Sequence, residues 1–111
     1  MNDRLNGLLK LFKKDPNDSF LIYGIALEYK SRKKYAEAED YFKILLGKDS
    51  NYVPAYMQYA LLKEEMNDIS KAKDIYSEGI NIARINGDTH AAKEMEEFLD
   101  ELNWKWCAWT F

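Results

Sequence analysis

His90 and Cys107 are the only histidine and the only cysteine in the chain. A thiol beside an imidazole makes a nucleophile, and the same two side chains ligate zinc. Both uses need further partners: a third group that orients the base, or a full ligand set around the metal. With one of each, 17 positions apart, neither constellation assembles. His90 is expected to be a surface residue at a helix terminus. Cys107 has only Lys105 close in sequence to favour a thiolate, and is expected to be a passive thiol. The carboxylate pairs Glu64-Glu65 and Glu96-Glu97 could serve acid–base work only if they converged. Adjacent positions on a helix point apart, so both pairs are expected to be solvent contacts.

The phosphate-binding, dinucleotide-binding and metalloprotease motifs are missing, as is a nucleophile elbow. No enzymatic role, metal or cofactor is expected. The one dense basic run, "KSRKK" at residues 30–34, is expected to be a solvated helix end. A nucleic-acid binder would carry a basic face, whereas the net charge is −3, so no nucleic-acid partner is expected.

The elements that carry these residues follow from composition and period. A chain of 111 residues reads as one domain, able to bury roughly 65% of the surface of its unfolded chain. Apolar residues make up 47% and charged ones 32%, a globular balance. No run approaches the ~18 apolar residues of a membrane span, and "MNDRLNGLLK" has no secretory core, so no membrane partner is expected. One cysteine makes no internal disulfide, which points to a reducing cytoplasm.

Slid by 34 residues, the chain matches itself. Asp15 falls on Asp49, Asn17 on Asn51, Ala26 on Ala60, Tyr35 on Ile69, Ala38 on Ala72 and Phe42 on Tyr76. Each unit holds two helical patterns. Ile22, Ile25, Ala26 and Tyr29 recur at spacings of three and four, as do Tyr35, Ala38, Phe42 and Leu45. The short polar link "SRKK" between them requires an antiparallel hairpin. Small Ala26 and Ala38 let the backbones approach, and Phe42 fills the space beyond.

These residues resemble the tetratricopeptide repeat, W-x2-L-G-x2-Y…A-x3-F…P. Unit one reads Ile22-x2-Ile25-Ala26-x2-Tyr29…Ala38-x3-Phe42, with Pro16 in the turn-proline slot ahead of it. Unit two reads Tyr56-x2-Tyr59-Ala60-x2-Lys63…Ala72-x3-Tyr76, with Ser50 in that slot. The resemblance covers residues 15–84 and extends to the flanks. Whole, the chain is similar to small single-domain bacterial proteins of this family. It implies an all-α fold: a short right-handed superhelical solenoid of antiparallel hairpins, with about six helices near 3–14, 18–31, 35–47, 52–66, 70–85 and 88–102. Residues 3–14 are expected to be the second helix of a missing earlier unit, with Leu5, Leu8, Leu9 and Phe12 as its stripe. Repeats occupy 15–48 and 49–84. Asn86 and Gly87 stop a helix, and a capping helix starts from Asp88 or Thr89 and spans 88–102. Residues 103–111 form an aromatic tail.

The resemblance also implies a function. In this family the first helix of each unit lines a concave groove that binds partner peptides. By register the groove here holds Phe20, Tyr23, Leu27, Lys30, Met57, Leu61 and Glu64. Family members that grip a C-terminal carboxylate use Lys, Asn and Arg at matching slots. Tyr23, Gly24, Leu27, Met57, Gln58 and Leu61 stand here instead, so that kind of tail receptor is not expected. The remaining surface is apolar and holds methionine, which suits an extended apolar strip or an amphipathic helix. Several of these side chains, Tyr23, Leu27, Met57 and Leu61 among them, have a plainer reading, as packing against a neighbouring helix.

The tail "NWKWCAWTF" continues the stripe Met95, Phe98, Leu99, Leu102, Trp106, Trp109 without Gly or Pro. Trp104, Trp106, Trp109 and Phe111 are its contact candidates. Three readings stand: the helix runs on to about residue 109 and covers the end of the array; the tail docks in an apolar groove of its own or a neighbouring copy; or it is displayed. Large aromatics contribute enough on burial to offset ordering the segment only if a ready surface exists, so Trp106 and Trp109 are expected to be buried, against this chain or a second copy. The function expected is a protein–protein interaction module, an adaptor holding a partner's peptide or helix. The alternatives are a carrier for its own C-terminal peptide, or a self-associating module, including a homodimer through the tail.

Overall fold

The computed structural model describes the backbone of residues 3–109 and the side chains of residues 4–104. Six helices follow one another: α1 (Asp3–Lys14), α2 (Ser19–Ser31), α3 (Tyr35–Lys48), α4 (Val53–Glu65), α5 (Ile69–Ile85) and α6 (Thr89–Trp109). No strand occurs among the described residues, and the fold is an all-α helical repeat. The boundaries match the periodicity closely except at the last helix. There α6 runs past residue 102 to Trp109, because nothing after Gly87 breaks a helix and the apolar stripe continues.

The chain forms two compact units, Met1–Ala55 and Tyr56–Phe111. In the first, α2 packs on both α1 and α3. The pairings are antiparallel. Arg4 at the start of α1 bridges Glu28 near the end of α2 at 3.2 Å. Lys48 at the end of α3 donates to the Asn17 side chain, just ahead of α2, at 2.8 Å. Leu5, Leu21 and Ile25 form a buried cluster, with Leu8, Leu9, Phe12, Tyr29 and Tyr41 packed against it. Tyr41 is the centre of an aromatic group: Phe12 meets it edge-on and Tyr29 stacks on it, both with centroids 5.6 Å apart.

In the second unit, α5 packs on α6. Tyr76 stacks on Phe98 at 6.1 Å, and Arg84 pairs with Glu96. The part of α4 in this unit lies against α5 at Gly79, where a Cβ would come within 2.6 Å of Tyr56 Cβ and 2.8 Å of Met95 Sδ. The absent side chain lets the two helices and Met95 close together. Ala26, Ala38, Ala60 and Ala72, the small residues of the two repeats, are all fully buried.

One turn joins both hairpins and recurs before α6. At Lys33, Asn67 and Gly87 φ is 61°, 64° and 77°. The N–H of each donates three residues back, to Lys30, Glu64 and Arg84. The next N–H, of Lys34, Asp68 and Asp88, donates five residues back, to Tyr29, Lys63 and Ala83. This is the Schellman closure of a helix C-terminus. The residue that completes it also starts the next helix. Asp68 and Asp88 accept there from the N–H of Lys71 at 3.3 Å and of Ala91 at 3.1 Å. Lys34 makes no side-chain cap.

Candidate functional site

The residues assigned to the groove fall on the first helices of the two repeats, α2 and α4. On α2, Leu21, Ile22, Ile25 and Ala26 are buried, and this fixes which face turns outward. Phe20, Tyr23, Leu27 and Lys30 recur at three, four and three, one stripe along the helix. Phe20 is 76% exposed, the most open phenylalanine among the described residues. Tyr23, Leu27 and Lys30 are half-buried. The Tyr23 ring lies 5.2 Å from that of Tyr52, ahead of α4. Burial, and then Tyr52 itself, push the Tyr23 phenol above its ordinary range. A Cβ at Gly24 would meet nothing within 4 Å, so the surface beside Tyr23 is open.

On α4, Met57, Leu61 and Glu64 recur at four and three, and all are half-buried. Between them lie Tyr59, Ala60, Leu62 and Lys63, all buried. Glu64 is not a plain solvent contact. It accepts the Tyr76 O–H at 2.6 Å, across from α4 to α5. Burial first, and then this hydrogen bond, hold the Tyr76 phenol strongly protonated. Glu96 departs from the sequence expectation too, through its pairing with Arg84. Adjacent carboxylates do point apart, but one of each pair turns toward a neighbouring helix and finds a donor there. A Tyr twelve positions on gave no sequence signal for this.

The remaining chemistry-bearing residues are dispersed. His90 sits in the first turn of α6, its side chain largely exposed, 4.0 Å from Glu94. The basic run ends α2 and forms the turn to α3, where Arg32 pairs with Glu28 at 3.0 Å. No group of three metal-ligating side chains occurs among the described residues. No helix there is long and apolar enough to cross a membrane. Trp104 is 76% exposed on α6. Trp106, Cys107 and Trp109 lie on α6, but their side chains, and all of Phe111, fall outside the described residues. So do the expected burial of the tail and its docking.

Comparison with known proteins gives the same class. No family model matches the chain. A TPR repeat-containing protein of Pseudomonas aeruginosa is 23% identical over 99 residues, 89% of this chain and 94% of that protein. A tetratricopeptide repeat domain protein from Salinibacter ruber, solved by NMR, is 28% identical with a TM-score of 0.75, covering 79% of this chain and 89% of that one. PcrH, solved in complex with the chaperone binding region of PopD, superposes with a TM-score of 0.85 at 15% identity, covering 94% of this chain and 79% of that one. The 34-residue period, the hairpins and these relatives make the chain similar, in sequence pattern and in fold, to small tetratricopeptide-repeat proteins.

Proposed function

We propose that the chain is a protein-interaction module whose first-helix faces hold an amphipathic helix or an extended apolar segment of a partner. The observation that carries this is the pair of incompletely buried stripes, Phe20–Tyr23–Leu27–Lys30 on α2 and Met57–Leu61–Glu64 on α4. Each combines apolar surface with one charged group at its C-terminal end, and the α2 stripe adds two aromatic rings. A large exposed Phe beside half-buried Tyr and Leu is surface that loses water favourably when covered. Met57 adds a side chain that adapts to an irregular partner. Lys30 and Glu64 set direction and register more than affinity. The neighbour PcrH was solved holding a segment of another protein, which supports the same kind of use here. The role is binding rather than catalysis, and the setting a reducing cytoplasm, in keeping with the single cysteine.

The double substitution Met57→Glu and Leu61→Glu tests it. Both side chains are half-buried, so helix content by circular dichroism should survive. Capture of partner proteins, compared with wild type by mass spectrometry, should be lost. A double variant that binds the same set as wild type overturns the assignment of α4, and one that unfolds shows that these residues are core.

A further inference from the structure

The link from α1 to α2 repeats the link from α3 to α4. Lys14-Asp15-Pro16-Asn17 lies one period before Lys48-Asp49-Ser50-Asn51, and the two links close alike. The Asp15 N–H donates to Leu11 O at 2.9 Å, and the Asp49 N–H to Leu45 O at 2.8 Å. α1 is therefore a second-type helix. The period-mates of its Leu8 and Leu11 are Phe42 and Leu45 of α3, both fully buried, whereas Leu8 is half-buried and Leu11 is 52% exposed.

α6 is the complementary case. Counted from the capping residues Asp18 and Asp88, Ile22, Ala26 and Tyr29 of α2 correspond to Ala92, Glu96 and Leu99 of α6. Those α2 residues belong to the helix that packs on α3. At the other end of the chain an open groove of about 580 Å³ runs between α5 and α6, lined by Ser77, Ile80, Arg84, Glu96, Leu99 and Asp100. It has the register of a seat for a second-type helix.

We propose that this groove receives α1 of a second copy of the chain, so that α6 and the incoming α1 complete a hairpin between copies. Charge favours that occupant. α1 carries four basic side chains against one acidic, and α6 five acidic against two basic. Lys10 and Lys14, both exposed, flank the apolar Leu11, while Glu96 and Asp100 rim the seat. The contact is heterologous: each copy uses α1 on one side and the α5–α6 groove on the other. It leaves the stripes of α2 and α4 out of the contact, so it stands apart from the function proposed above. One helix in one groove is a small interface, so association should be weak, dependent on concentration and weakened by salt.

Light scattering across a concentration series tests this with two surface variants. Leu11→Glu alters the helix that docks, and the pair Ser77→Arg and Asp100→Arg alters the seat; all three residues are exposed or line open surface, and circular dichroism checks that each variant keeps its helices. Wild type should gain mass with concentration and lose it in high salt. Each variant alone should stay monomeric. Mixed one to one, they should form a dimer that grows no further, because one intact α1 and one intact seat remain. Lys14→Glu should weaken wild-type association in the same direction. A wild type that stays monomeric throughout overturns the proposal. So does a Leu11→Glu variant that associates like wild type, or a mixture of variants that stays monomeric.

Discussion

Lys33 and Asn67 stand one 34-residue period apart and share a left-handed backbone, φ 61° and 64°. The same turn imposes the same conformation on two very different side chains. Asparagine tolerates it; lysine carries the Cβ clash that makes it unfavourable by roughly 1–2 kcal/mol. The next position repeats the contrast: Asp68 caps α5, whereas Lys34 places a cation at the N-terminus of α3, where the helix dipole disfavours it. The first hairpin turn is thus less well matched to its sequence than the second.

Lys33→Gly should raise stability by about 0.5–1 kcal/mol, the strain relieved less the greater freedom of glycine in the unfolded chain. Lys34→Asp should add about 0.5–1 kcal/mol by capping α3. Thermal unfolding measures both, and each should move the midpoint upward by a few degrees. A fall in the midpoint on Lys33→Gly would mean that the lysine side chain contributes more at this turn than its backbone costs.

Much of the fold was legible because the repeat is carried by local signals. Alanine and aromatic residues at spacings of three and four mark the hairpins, and Asn86-Gly87 marks the end of α5. The extent of α6 past 102 was ambiguous, since a stripe without a breaker does not say where a helix stops. The stripes of α2 and α4 could be placed by register. Which side chains they share with neighbours could not, because Tyr23–Tyr52 and Tyr76–Glu64 join positions with no sequence link. Gly79 was invisible for the same reason. Its period-mate is Leu45, and only the approach of Tyr56 and Met95 explains the change.

Gly79→Ala should therefore destabilise the second unit. A helix interior normally gains about 1 kcal/mol from this change. Here the added carbon lands within 2.6 Å of Tyr56 Cβ, which is held close to its backbone and cannot rotate away. Overpacking of this kind costs about 1–3 kcal/mol, and the midpoint of denaturant unfolding should fall. Gly24→Ala, where nothing lies within 4 Å, should show the opposite sign. Equal effects at the two glycines would contradict the close approach at Gly79.

Tyr76 links stability to pH. Its phenol is held protonated by burial and by Glu64, so its folded pKa lies above the ordinary 10.0. Stability from this group is complete below pH 10. It is lost as pH rises beyond, by about 1.4 kcal/mol per unit, while the unfolded chain ionises and the folded one does not. Tyr76→Phe should cost about 1–3 kcal/mol at neutral pH by leaving Glu64 without its donor. It should also flatten the alkaline decline, leaving the contributions of Tyr23, Tyr41 and Tyr52, whose phenols are raised as well. The measurement is denaturant unfolding at pH 8 to 11 for both proteins. Parallel curves would show that Tyr76 ionises as freely folded as unfolded.

The central claim is that partners are held on the first helices of the repeats. Photo-crosslinking in cells reports this most directly. A photoreactive residue would replace Leu27 on α2 or Met57 on α4, and in separate proteins Lys43 on α3 or Glu78 on α5. Adducts with the same partner should form from the Leu27 and Met57 positions and not from the Lys43 and Glu78 positions. Adducts arising only from α3 and α5 would contradict it.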